Sequence, residues 1–400
     1  MFKTGAARRA ALIICTTIPA LIIWQHMESG SPGALFWSGK RIFLIVLLGV
    51  IFISYVIGIT SRAFSVAISV TAVFVWWFAT NQDWSEIGAN IRQADMSCIM
   101  LALVPSAVFC ILRVLRWQIM MRPVKALSFA QSLGATLIAL TGNNILPLRA
   151  GEFIRPAIIK MRYSGSFTAT FTTIVVERLL DLIGLGVVLI FTCIFWPVPS
   201  SNEAQNTLNI SQASLLLIGM IAVPLGCLIL LKKHPESAKG AVAWLMRMFP
   251  GQARQRILRL IDSFVAGFAF AENTRHVLMT LICSIAMWAA SAASFYYCAR
   301  AFDFHMSFIG ACFVLLSTSL AAALPQAPSF IGTFHWAATL AARMLQMPEA
   351  AAASFAIISH AIVFIPVTIA GFISLWVMGL TLGQVTRKAQ KTESIKDHSS

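Results

Sequence analysis

Three ionisable residues, Glu177, Arg178 and Asp181, stand together in FTATFTTIVVERLLDLIGLGVVLIFTCIFW, residues 167–196, a stretch that is otherwise apolar, small or hydroxylic. On a helix, Glu177 and Asp181 share a face, and Arg178, three residues before Asp181, can neutralise it. Glu177 is then left needing a cation from another part of the chain. The nearest are Arg149 and Arg155 in NNILPLRAGEFIRP, residues 143–156. Guanidinium groups take phosphate or carboxylate through two parallel hydrogen bonds. Asn143, Asn144, Arg149, Glu152, Arg155 and Arg178 are therefore candidate contacts for a bound anion, with Glu152 able to balance one arginine. Glu177 and Asp181 form a candidate ion-pair or proton network, extended by His360 from later in the chain. The same charges can equally serve architecture, by locking one segment to its neighbour.

The elements that must carry these groups are membrane helices. The chain is 58% hydrophobic and 11% charged over 400 residues, against about a quarter charged in soluble domains. Stretches approaching the roughly 20 residues needed to cross a bilayer lie near 10–25, 42–60, 63–80, 97–117, 167–196, 213–231, 277–299 and 350–379. The expectation is an all-α polytopic membrane protein of about eight spans. Two further apolar stretches, 128–147 and 308–325, end near proline and carry small or hydroxyl residues. They are expected to enter the membrane without crossing it. Glu177 then lies about 15 Å from the cytoplasmic end of its helix, where an unpaired charge costs on the order of 2.5 to 3.5 kcal/mol.

Breakers explain the composition of 143–156. Asn143 and Asn144 are expected to satisfy free carbonyls of an interrupted helix, Pro147 to end it and Gly151 to permit a tight turn. PLRAGEF, 147–153, matches PSFIGTF, 328–334, as P-x-x-x-G-x-F, with Pro328 and Gly332 as the second pair of breakers. Three expected crossings separate the copies, an odd number, so they face opposite sides of the membrane in an inverted-topology repeat. The second copy is polar rather than ionic: Gln326, Ser329, Thr333 and His335, with His360 near the place of Glu177 and Arg178.

The net charge of +15 does not point to nucleic acid. With both termini cytoplasmic, 24 of the 30 Lys and Arg residues fall on the inner side, as the positive-inside rule requires. The first apolar segment reads as an uncleaved span, since no small-x-small cleavage site follows it. The eight cysteines have no C-x-x-C pair and read as small core residues, not as a metal or disulfide framework. Trp24, Trp37, Trp84, Trp117 and Trp196 lie near expected span ends, as in an interfacial belt. The organisation expected is a three-span region, 1–96; a first half, 97–231; a basic amphipathic cytoplasmic segment, 232–275, lying on the leaflet or packed on the helix ends; a second half, 276–380; and a disordered cytoplasmic tail, 381–400. No Walker A, H-E-x-x-H, G-x-S-x-G or D-x-D sequence occurs, so no ATP motor, metal or other cofactor is expected.

NNILPLRAGEFIRP, then TTIVVERLLDLIGL, then LPQAPSFIGTF resemble the membrane domain of the lysylphosphatidylglycerol synthase and flippase family over about 97–380. The match falls on Asn144, Pro147, Arg149, Gly151, Glu152, Arg155, Glu177, Arg178 and Asp181. Ser329 stands where glycine is more usual, and His335 where an acidic residue often stands. The resemblance implies a stand-alone member that handles anionic phospholipid or isoprenoid-type envelope lipid in a bacterial inner membrane, with enzymes of lipid biosynthesis as partners. Lysyl transfer, which the family assigns to a separate soluble domain, is not expected. The energy source would be a gradient or lipid consumption, with Glu177 as proton carrier. The competing readings are a membrane-embedded transferase and an accessory factor of an envelope-lipid pathway such as hopanoid or glycolipid synthesis.

Overall fold

The computed structural model describes residues 82–146, 149–195, 273–322 and 328–386, together with 74–76, 78 and 226. These residues are helical, with no strand among them. The helices are α1 Trp84–Gln93, α2 Met96–Met121, α3 Phe129–Ile145, α4 Gly151–Tyr163, α5 Phe167–Phe195, α6 Thr274–Arg300, α7 Phe308–Ala321, α8 Thr333–Met344 and α9 Glu349–Val377, with a 3-10 turn at Pro328–Phe330. By length and composition α2, α6 and α9 can cross a membrane. The chain is a helical, multi-pass membrane protein. The expected spans 97–117, 167–196, 277–299 and 350–379 match α2, α5, α6 and α9. Those at 10–25 and 42–60, most of 63–80 and of 213–231, and the amphipathic segment up to residue 272 lie outside the described residues.

Two runs of four helices repeat one pattern: long, short, short, long. In α2 to α5 the lengths are 26, 17, 13 and 29 residues, and in α6 to α9 they are 27, 14, 12 and 29. Local sequence sets the starts. Asp95 caps α2 and Asn273 caps α6. Ser128 and Gln131 close a capping box on α3, and Ser307 accepts from Gly310 N at α7.

Helices α2 and α6 pack antiparallel. Asp95 N donates to Ala301 O at 2.9 Å, Ser294 Oγ to Ala102 O at 2.9 Å, and Arg116 Nη1 to Ser284 Oγ at 3.1 Å, so positions rise along one helix as they fall along the other. The Ser294 hydroxyl serves a carbonyl in the turn that Pro105 weakens. Helix α9 lies on α3 in the same antiparallel sense. Gly134 lies against Met378, Gly371 against Leu137 O and Thr141, and Asn144 Nδ2 donates to Thr368 Oγ1 at 2.8 Å.

Helices α3 and α4 fold back as one hairpin, α7 and α8 as another. Leu146, before Pro147, is extended (φ −94, ψ 145), as a residue preceding proline must be. Pro147 itself lies outside the described residues. Gly151, expected to permit a tight turn, does not take positive φ. It opens α4, and a Cβ there would collide with Ala139 O and come within 2.6 Å of Asn143 Oδ1. Its service is close approach. The left-handed residue is Arg149, φ 54. In the second hairpin Gly332 does carry positive φ, 90, after Ser329 at 61 and Phe330 at 56.

Burial corrects two further expectations. Trp117 is fully buried between α3, α4 and α5 rather than interfacial. The tail begins later than residue 381, because residues 382–386 are helical and Val385 is buried against Leu127 and Leu375.

Candidate functional site

Glu177 lies fully buried on α5 within reach of four guanidinium groups. Its Oε1 is 3.1 Å from Arg113 Nε, 3.5 Å from Arg116 Nη2 and 3.0 Å from Arg178 Nη2, and its Oε2 is 2.7 Å from Arg155 Nη1. Asp181, one turn on, pairs with Arg116 at 2.6 Å and with Arg178 at 3.1 Å. Glu152 reaches Arg178 at 3.8 Å. The chain thus grades from a dry centre at Glu177 and Arg116 to a partly open end at Arg178 and Glu152.

Packing holds the arginines in place. Arg155 lies over the Trp117 ring at 4.7 Å, and the Trp117 indole donates to Thr173 Oγ1. Arg116 joins three helices, giving Nη2 to Asp181 and Nη1 to Ser284. The Nε–H groups of Arg116 and Arg155 meet no acceptor among the described residues.

The expectations from sequence are met unevenly. Arg155 is a partner of Glu177, and the Arg178–Asp181 pair forms within α5. Arg149 does not join them. Its Nη2 donates to Ala322 O at 2.5 Å, and its guanidinium covers Phe330. Glu152 faces Arg178, with no ion pair to Arg149 or Arg155. Asn144 serves α9 through its side chain, while its own carbonyl accepts from Ser329 Oγ at 2.5 Å; Asn143 Oδ1 is buried without a donor among the described residues. His360 is not in the carboxylate network. Its Nε2 stands 2.8 Å from Ser329 O, and its ring is 4.6 Å from that of His335.

Arg113 and Arg116 are the residues that sequence reasoning missed. Counted as cytoplasmic topology charges, they and Arg155 are instead inside the protein, which leaves three fewer in that asymmetry. The available signal was their position: three apart, and within the apolar stretch 97–117 itself.

The profile of the lysylphosphatidylglycerol synthase transmembrane region matches residues 62–371. A UPF0104 membrane protein of Pyrococcus horikoshii is 22% identical over 324 residues, 78% of this chain and 95% of that protein. Another, from Methanocaldococcus jannaschii, is 20% identical over 236 residues, 59% and 93% of the two chains. Glycosyltransferase AglD of Haloferax volcanii is 24% identical over 339 residues, 79% of this chain and 54% of that enzyme, so the chain spans about half of AglD's length.

Proposed function

Since this chain belongs to the lysylphosphatidylglycerol synthase transmembrane-region family, we propose that it moves an anionic lipid between leaflets, receiving the headgroup at the arginine cluster while the acyl or isoprenoid tails stay in the bilayer. One observation carries this reading. Four guanidinium groups, from Arg113, Arg116, Arg155 and Arg178, stand against three carboxylates, from Glu152, Glu177 and Asp181, while Arg149, exposed outside this cluster, pairs with no carboxylate among the described residues. A buried positive excess is costly. A phosphate ester admitted to the cluster relieves it and can accept from the buried, unpartnered Nε–H groups of Arg116 and Arg155.

The path we infer runs between two inverted halves, α2 to α5 and α6 to α9, whose hairpins re-enter the membrane from opposite faces. The antiparallel pairing of α2 with α6 and the matching order of lengths support it. Eight crossings rest on the apolar stretches, cytoplasmic termini on the Lys and Arg distribution, and a bacterial inner membrane on the family resemblance alone; the three relatives are archaeal.

The test is a leaflet-resolved assay in liposomes with labelled phosphatidylglycerol and phosphatidylcholine, alongside identification of the lipid that copurifies. Faster movement of the anionic lipid is the expected result. Equal rates for the two lipids and for empty liposomes defeat the reading.

A second reading has one observation behind it: a relative is named a glycosyltransferase. On that reading the chain presents or consumes a lipid carrier within a glycolipid pathway, with biosynthetic enzymes as partners. A sugar-linked isoprenoid in the copurified lipid, without movement in liposomes, favours it.

A further inference from the structure

The second half holds two imidazoles side by side, their planes tilted by 41°. His335, near the start of α8, and His360, in α9, have ring centroids 4.6 Å apart. Aromatic rings surround them: Phe78 is 5.2 Å from His335, Phe334 is 5.2 Å from His360, and Phe364 stacks on His360 at 4.1 Å. No Asp, Glu, Lys or Arg hydrogen-bonds or ion-pairs with either ring among the described residues. Charges are reached only through other rings: Arg149 beyond Phe330, which touches Phe364, and Asp83 beside Trp84, which touches Phe78, among the described residues.

The partners decide where protons sit. Ser329 O can only accept, so His360 Nε2 carries the hydrogen in both charge states. In the neutral ring Nδ1 is then a bare lone pair, and no described residue bonds it. His335 is arranged differently. Its Nδ1 accepts from Gly332 N at 3.4 Å, so its lone pair is already engaged and its hydrogen is on Nε2. The pair therefore offers one open basic nitrogen.

We propose that His360 Nδ1 is a proton-binding site that couples lipid movement to a pH difference, the coupling resting on the translocation reading above. A proton added there makes an imidazolium whose charge is met by the Ser329 carbonyl and the face of Phe364. A second proton is excluded, because it would put like charges in adjoining rings and break the bond from Gly332 N. The conformational consequence runs through Ser329. Its carbonyl accepts from His360 while its hydroxyl donates to Asn144 O, so strengthening the first bond tightens α9 on both hairpins. Glu177, expected from sequence to carry the proton, is poorly suited: a proton on it would leave four guanidinium groups around a neutral acid.

The test uses the full chain, its seven histidines labelled with 15N, in nanodiscs of phosphatidylglycerol and phosphatidylcholine. The expected result is one protonation step at His360 as the pH is lowered, with the His335 signal moving in the same step. His360→Gln, whose amide can still donate to Ser329 O, abolishes both changes; His335→Asn, whose carbonyl can still accept from Gly332 N, leaves the His360 step in place. In liposomes His360→Gln loses the response of lipid movement to a pH difference and keeps the basal rate. A parent protein in which neither imidazole changes, or in which each takes its own proton, overturns the site without any variant. A His360→Gln protein that responds to pH as the parent does overturns the coupling. If the parent moves no lipid at all, the translocation reading and the coupling fail together, and the spectra alone decide the proton site.

Discussion

Arg149 and Phe330 occupy the same place in the two P-x-x-x-G-x-F segments, and they stack on each other. The Arg149 guanidinium carbon is 5.3 Å from the Phe330 ring centroid, and both residues hold left-handed backbone, φ 54 and 56. For an L-residue that conformation costs roughly 1 to 2 kcal/mol. The contact and the bond from Arg149 to Ala322 O offset it.

Arg149→Gly separates function from folding. Glycine takes positive φ without strain, so unfolding stability should stay within about 1 kcal/mol of the parent. Movement of anionic lipid should fall by roughly tenfold or more, the loss of one charged hydrogen bond. Arg149→Lys should recover only part, since a point charge lacks the planar fork. Full activity in either variant removes Arg149 from headgroup recognition.

Glu177→Gln should be severe. It leaves the guanidinium groups of Arg113, Arg116, Arg155 and Arg178 around a neutral amide, and breaking a buried ion pair costs about 3 to 5 kcal/mol. Early melting in detergent is expected, with partial recovery when Arg155→Gln is added. A Glu177→Gln protein with parental stability would show that the carboxylate is not what holds the cluster together.

Gly151→Ala tests close approach. The added methyl meets Ala139 O and Asn143 within the α3–α4 hairpin, a steric overload worth about 1 to 3 kcal/mol. The same change at Gly226, where nothing lies within 4 Å, should be silent. Equal melting of the two variants would refute the packing argument.

Asp95 carries a pH dependence outside the spans. The bond from Cys98 Sγ, and then that from Ser97 N, hold its carboxylate below the usual range. A depressed folded-state pKa stabilises the protein above the unfolded value, near 3.9, and the contribution fades as pH falls through the folded value. Asp95→Ala should therefore lower the melting temperature at pH 7, with the gap to the parent closing in acid. A gap constant with pH would mean that the carboxylate charge plays no part.

Helices were legible in the sequence because a bilayer demands length and apolarity, which are properties of contiguous residues. The four long helices α2, α5, α6 and α9, the two short stretches ending near proline and the pairing of Arg178 with Asp181 could all be read from local spacing. The partners of Glu177 could not. Arg113, Arg116 and Arg155 reach it from α2 and α4, at separations of 64, 61 and 22 residues, and only the packing of those helices on α5 brings them within hydrogen-bond range. Arg149 and Arg155 looked equivalent as neighbouring guanidiniums in one motif. Backbone geometry parted them: α4 carries Arg155 inward to Glu177, while the left-handed turn at Arg149 directs its side chain to the other hairpin. The presence of charge in the membrane was thus a matter of sequence. Which charges meet was decided by tertiary structure, because a guanidinium can satisfy any carboxylate or carbonyl within reach and only the fold determines which one that is.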